Sequence, residues 1–85
     1  MTHIYPGDLI MVNKLSMQLT MRTVCKMSGP IVGYARCGQP LLVIAVIDRK
    51  QRVELLVLSQ HGLGWLIDTK TAWFGDLTQP ACEPC

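Results

Sequence analysis

The segment 41–59, LLVIAVIDRKQRVELLVLS, constrains the fold more than any other part of the chain. Two apolar runs rich in β-branched residues flank a charged turn of four residues, 49–52. Two such runs joined by a short polar turn are typical of a β-hairpin. The first run, 41–47, is far shorter than the about 20 residues that a membrane helix needs. The sequence therefore predicts two antiparallel strands that turn within residues 48–53, and no membrane association.

Other segments carry the periodicity of further strands. Residues 9–12 are all apolar and follow a Pro-Gly turn. Residues 14–22 alternate strictly between polar and apolar, which indicates a half-buried strand. A helix is the alternative, because Leu, Met, Lys, Gln and Arg are good helix formers. Residues 63–67 follow a turn at Gly62 and form the next strand, with Leu63, Trp65 and Ile67 on one face.

Two regions are predicted to be less regular. Residues 27–40 contain two prolines and three glycines, which favours a loop around a short extended segment, IVGY. Near the end, Asp68 is placed to cap a single helical or 3₁₀ turn by accepting amide hydrogen bonds. With 85 residues the chain has room for one domain. We expect residues 1–77 to form it and residues 78–85 to be a flexible tail, because Pro and polar residues dominate there.

This order of elements resembles the SH3-like small barrels of the kind encoded by bacteriophages and mobile elements. The pattern is a Gly-Asp-apolar opening strand, a long excursion, then a meander whose last strand reads GLGWLI, and it covers residues 7–74. The resemblance implies an all-β fold: an SH3-like small antiparallel barrel with a long irregular excursion after the first strand and a one-turn helix near the C-terminus. It implies more about fold than about function.

One enzyme family with this fold is also similar in a short stretch. GPIVGY matches the Gly-x-Ile-Val-Gly-aromatic strand of the plasmid-borne type II dihydrofolate reductases. Their Val-Gln-Ile-Tyr motif is absent, and the nearest strand here reads LLVLSQ. The chain also contains no paired carboxylates, phosphate loop, H-E-x-x-H or nucleophile elbow. The sequence therefore predicts a protein that is not an enzyme and needs no cofactor.

The charged residues allow two interpretations of the central turn. The net charge is only +2, and the one tight basic cluster comprises Arg49, Lys50 and Arg52. It is either a solvated hairpin turn or a set of phosphate contacts, since each cation can reach one phosphate. His3 and His61 have no ligand or triad partner at suitable spacing, so both are expected to be solvent-facing.

The four cysteines are too sparse for a disulfide-framework miniprotein. The N-terminal residues do not read as an export signal, so a cytoplasmic location with reduced thiols is the default expectation. Cys82 and Cys85 form a single C-x-x-C pair, for which a frayed tail, a zinc site and a redox pair all remain open.

Aromatic residues complete the set of possible contact residues. In a small barrel, exposed rings beside the meander often line a groove for a peptide. Trp65 either fills the core of the barrel or presents its ring beside Gly64, where a ligand can approach. Trp73 is either half exposed or buried. Candidate partner-binding residues are Tyr5, Tyr34, Trp65, Trp73, Arg49, Lys50 and Arg52.

These observations predict a small module that binds a host protein or assembles with itself. The alternative is a nucleic-acid-binding barrel that uses the basic turn and exposed aromatics. Self-association follows from the central hairpin, because 49% of the residues are hydrophobic and both faces of its strands are apolar, whereas a small barrel has one interior. Cover by the methionine-rich N-terminal third is the competing explanation. If the first strand of the hairpin alternates strictly, one face holds Leu41, Val43, Ala45 and Ile47, and the other face holds Leu42, Ile44 and Val46.

Overall fold

The structure, a computed structural model, describes residues 4–13, 18–26 and 28–76. These residues form one seven-stranded antiparallel sheet that curls into a half-barrel, and they contain no α-helix. The all-β, antiparallel prediction is therefore confirmed. The order across the sheet is β3-β2-β6-β5-β4-β1-β7. In chain order the strands are β1 (Leu9–Val12), β2 (Gln18–Arg22), β3 (Ile31–Arg36), β4 (Leu41–Asp48), β5 (Val53–Ser59), β6 (Gly62–Thr69) and β7 (Phe74–Asp76).

The predicted central hairpin is confirmed. Strands β4 and β5 pair antiparallel from Leu42 opposite Leu58 to Asp48 opposite Val53. The backbone N–H of Arg49 donates to the carbonyl of Arg52 at 2.8 Å, which closes the turn. Strand β6 extends the meander after a second tight turn, where Gly62 has φ 94° as expected for its position.

A β-bulge in β4 makes the strict alternation predicted for this strand wrong. The register shifts between Val43 and Ala45, so Val43 faces Val57 but Ala45 faces Leu56. A bulge adds one residue on one side of the ladder and so reverses the alternation beyond it. As a result Val46, not Ala45, packs against the core.

The segment between β1 and β4 is more regular than the sequence indicated. Strands β2 and β3 form an antiparallel hairpin with five partner positions, and β2 also pairs with β6 through Met21 opposite Leu66. The prediction of a long irregular excursion is therefore wrong for this hairpin. The strand interpretation of 14–22 is confirmed for residues 18–22, and residues 14–17 lie outside the described part.

The two ends of the described chain meet beside β1. Strand β1 pairs with both β4 and β7, and Val12 also forms an isolated parallel bridge with Cys37. A three-residue 3₁₀ turn, Thr71–Trp73, precedes β7 in place of the one-turn helix. Its N-cap residue is Lys70, which makes no side-chain cap, so the capping role predicted for Asp68 is wrong. Asp68 instead has φ 60°, the left-handed region that non-glycine residues enter at a cost.

The core fills the concave side of the curled sheet. Alternate residues of β5 and β6 point into it, so Leu55, Val57 and Leu66 are fully buried. Gly64 also faces inward, and a Cβ there would lie 2.8 Å from Cε of Met21. The buried hydrophobic cluster comprises Ile4, Ile10, Val12, Met21, Ala35, Leu41, Val43, Val53, Leu55, Val57, Leu66 and Phe74.

The cysteines within the described residues differ in oxidation state. Cys25 is a free thiol, but Cys37 is disulfide-bonded, so the default of reduced thiols is wrong for Cys37. The expected tail, 78–85, with Cys82 and Cys85, lies outside the described residues. Within the described ranges no helix is both long and apolar enough to cross a membrane.

Candidate functional site

Four leucines form a continuous line across the convex face of the sheet. Leu9 lies opposite Leu42, Leu42 opposite Leu58, and Leu58 opposite Leu63, so the line crosses β1, β4, β5 and β6 in direct register. We call these four residues the leucine row. The exposed fractions are 48% for Leu9, 44% for Leu58 and 55% for Leu63. In a monomer this face would leave a contiguous apolar surface in water.

A second apolar line borders the leucine row. It runs from Ala45 through Leu56 to Trp65, and Trp65 then lies opposite Arg22 on β2. All of these side chains are partly buried. Trp65 is therefore on the outer face, and the core interpretation of this residue is wrong. The reason is that its neighbours Gly64 and Leu66 occupy the inner positions of β6.

The basic turn borders a second surface feature. A cleft of about 510 Å³ opens between the β4–β5 turn, the N-terminal segment and the residues after β6. We call it the turn cleft. Its lining includes Tyr5, whose side chain is 61% exposed. The charged residues that line it are Asp48, Arg49, Lys50, Arg52 and Lys70.

A buried carboxylate beside the turn cleft fixes the two arginines. The Glu54 side chain is 5% exposed and accepts from Nε of Arg49 at 3.3 Å and from Nη2 of Arg49 at 3.4 Å. Nε of Arg52 lies 3.8 Å from the same carboxylate, and its Nη1 donates to Asp68 at 3.4 Å. The Sγ of Cys25 donates to Glu54 at 3.2 Å. The cluster thus connects the turn to the β2–β3 loop and to the end of β6.

Burial and the contact with Glu54 both favour the protonated form of the Cys25 thiol. Burial, followed by the hydrogen bond to Glu54 and its negative charge, raises the pKa of Cys25, against the opposing charge of Arg49. The thiol hydrogen bond lowers the pKa of Glu54, against the effect of burial, and Arg49 and Arg52 lower it further. Since the thiolate is the nucleophilic and metal-binding form, this arrangement suits a structural thiol.

The structure brings together only part of the predicted set of contact residues. Tyr5, Arg49, Lys50 and Arg52 share the turn cleft. The others lie apart from it: Tyr34 is on β3 opposite Thr20, Trp65 is on the outer face of β6, and Trp73 is half-buried against the core. His61 is exposed in its turn, and its ring lies over Gly33.

Sequence reasoning missed Cys25 and Glu54 in the cluster beside the turn cleft, and Lys70 in the cleft itself. Cys25 and Glu54 are 29 residues apart, and no spacing rule joins them. Lys70 reaches the cleft because β6 runs antiparallel to β5 and brings its end back to the turn. Among the described residues, no group of three or more His, Cys, Asp or Glu side chains is placed to hold a metal ion.

Comparisons of the chain with protein-family models, with curated proteins and with solved structures gave no significant match.

Proposed function

We propose that the protein is a non-enzymatic interaction module that assembles with a second copy of itself through the leucine row. The observation that carries this proposal is the direct register of four leucines across four strands, three of them about half exposed. Isolated exposed leucines are ordinary, whereas a contiguous apolar line is typical of an interaction surface.

The exposed area favours a weak dimer. The exposed fractions of Leu9, Leu58 and Leu63, together with that of Ile44, an exposed residue of β4 outside the row, equal about two fully exposed side chains of this size. Covering them in both copies contributes about 6–12 kcal/mol at 1.5–3 kcal/mol per side chain. Association costs roughly 4–15 kcal/mol in lost freedom. At the favourable end the balance is about 8 kcal/mol, which corresponds to a dissociation constant of about 1 µM, and smaller gains or larger costs give weaker association.

The shape and charge of the face support a second copy as the occupant. The row consists of one residue type and carries no charge, so a two-fold axis between Leu42 and Leu58 places leucine against leucine. Two sheet faces of this kind pack about 10 Å apart, as in β-sandwiches. A chain of 85 residues also has a modest core, and small domains often gain stability by oligomerisation.

The test is the mass in solution as a function of concentration. Sedimentation equilibrium of the wild type from about 1 to 500 µM should show a mass that rises from 9.5 kDa towards twice that value. Leu58→Glu should hold it at the monomer mass. Ile31→Glu is the matched control, because Ile31 is 52% exposed but lies on β3, outside the row. A wild type that stays monomeric throughout this range would refute the proposal.

We also propose that the protein is related to the SH3-like barrels of phages and mobile elements. The β4–β5–β6 meander, the 3₁₀ turn and the short β7 beside β1 support an SH3-like barrel of the kind encoded by phages and mobile elements. The cytoplasm is the proposed location, and the disulfide at Cys37 is the observation against it. Alkylation of protein from freshly lysed cells, followed by mass spectrometry, tests it: an alkylated Cys37 supports a reducing compartment.

A further inference from the structure

Positive charge is concentrated at the turn cleft. Four cations line it, Arg49, Lys50, Arg52 and Lys70, against one carboxylate in the lining, Asp48. Two more carboxylates, Glu54 and Asp68, pair with the arginines outside the lining. A concave surface on which one sign of charge predominates raises the local concentration of ligands of the opposite sign.

The two arginines are held in place and still have donors to offer. Arg49 gives two of its five N–H groups to Glu54, and its side chain is 53% exposed. Arg52 gives one N–H to Asp68 and is 48% exposed. A guanidinium that is already positioned loses less conformational freedom when it binds a phosphate than a mobile one does. The buried Glu54 thus acts as an anchor for phosphate-binding groups.

An aromatic ring lies in the same cleft. Tyr5 is 61% exposed and lines the cleft together with the basic turn. Cations that follow a phosphate backbone, combined with a ring on which a base stacks, are the recurring features of single-stranded nucleic acid sites. An acidic peptide would use the cations but has no need of the ring. A duplex would need a helix or a free two-stranded β-ribbon that enters a groove, whereas β6 pairs with the outer edge of β5 up to the turn.

We propose that the turn cleft binds single-stranded nucleic acid, with phosphates on Arg49, Lys50, Arg52 and Lys70 and a base stacked on Tyr5. The site shares no residue with the leucine row. A monomeric protein should therefore bind as a dimer does, and the failure of one proposal leaves the other standing.

Fluorescence anisotropy with a labelled oligothymidylate of about 12 nucleotides tests the proposal, since known single-strand sites span about 4–16 nucleotides. Each phosphate contact contributes about 0.7 to the salt slope for single strands, so four contacts predict a slope of about −2.8. The affinity should then fall about 50-fold between 50 and 200 mM salt.

Matched variants locate the site. The partners of Glu54 are Arg49, Arg52 and Cys25, so Lys50→Gln combined with Lys70→Gln removes two cations from the cleft and keeps the contacts that anchor the arginines. This pair should reduce the salt slope by about 1.4. The control pair, Lys26→Gln with Arg36→Gln, makes the same charge change at exposed positions outside the cleft and should leave the slope unchanged.

The stacking contact has its own variant. Tyr5→Leu should weaken binding about 5- to 150-fold without changing the salt slope, because it removes a base contact and no charge. Three outcomes would overturn the proposal: no binding at 50 mM salt, equal loss in the cleft pair and the control pair, or an unchanged affinity in Tyr5→Leu. Polyglutamate is the competitor that tests for an acidic polypeptide. If it displaces the labelled strand as well as the unlabelled oligonucleotide does at equal charge concentration, the cleft binds an acidic polypeptide instead.

Discussion

Leu55 and Leu58 are the same residue type on the same strand, β5, but lie on opposite faces of the sheet, so substituting each one tests which face is buried. Leu55 is fully buried in the core, whereas Leu58 is 44% exposed in the leucine row. We expect Leu55→Ala to lower the free energy of unfolding by about 3–5 kcal/mol, because it removes buried carbon atoms and leaves a cavity. Leu58→Ala removes three carbons worth about 0.8 kcal/mol each when fully buried. Slightly more than half of that side chain is covered, so the expected loss is about 1 kcal/mol.

The assay is urea unfolding followed by circular dichroism and extrapolated linearly to water. The protein concentration should lie below the dissociation constant of the proposed dimer, so that association does not contribute. A domain of this size has about 4–13 kcal/mol of total stability, so Leu55→Ala consumes a large share of it. If that variant does not fold, Leu55→Val and Leu58→Val give the same comparison with smaller losses.

Equal losses at the two positions, or a larger loss at Leu58, would refute the assignment of the two faces. A loss at Leu58 that grows as the protein concentration is raised would instead report burial of the leucine row between copies. The same pair of variants therefore separates the fold from the association.

Further predictions concern the close approach of Gly64 to Met21 and the pKa values of Glu54 and Cys25. Gly64→Ala should lower the free energy of unfolding by about 1–3 kcal/mol, because the new Cβ lies 2.8 Å from Cε and 3.0 Å from Cβ of the fully buried Met21. Gly33→Ala, which meets the exposed His61 side chain, is the control and should cost less in the same urea assay; equal costs would contradict the reasoning. The lowered pKa of Glu54 stabilises the fold at neutral pH, so stability should fall as the pH drops below the ordinary value of 4.5. The pKa of Cys25 is raised in the folded protein, so stability should also fall as the pH rises above 9.0. Cys25→Ala lacks the thiol, so its urea midpoint should fall less steeply than that of the wild type in this range. An equally steep fall in both proteins would exclude Cys25 as the cause.

The sequence predicted those parts of the fold that local chemistry determines. The charged turn between two apolar runs identified the hairpin, and Gly62 identified the next turn. Neither run alternates, so nothing in the sequence marked the bulge beside Val43 that decides which residues face inward. The β2–β3 hairpin was hidden by two prolines, but Pro30 lies directly before β3 and Pro40 directly before β4, so neither interrupts a strand.

Prediction of the candidate site failed wherever a contact joins distant parts of the chain. The basic turn is visible in the sequence, but its approach to Tyr5 depends on how β1 sits beside β4. The core interpretation of Trp65 followed from the usual preference of a large ring for the interior. At that point the interior is occupied by Met21 against Gly64, so the ring has no room on the inner face.

The pairing of β1 with β7 has a consequence for the order in which the chain folds. Ile10 lies opposite Asp76, so the first strand is completed on one side by the last one described. The β4–β5–β6 meander needs only short loops and is the part that can form early, and β1 can join it through β4, whereas the other edge of β1 must wait for partners more than 60 residues away. On the ribosome, the edge of β1 that pairs with β7 therefore stays open until residues 74–76 have emerged. During that interval the unpaired edge is exposed to other nascent chains, and the rate at which the residues between β1 and β7 are synthesised determines how long the exposure lasts.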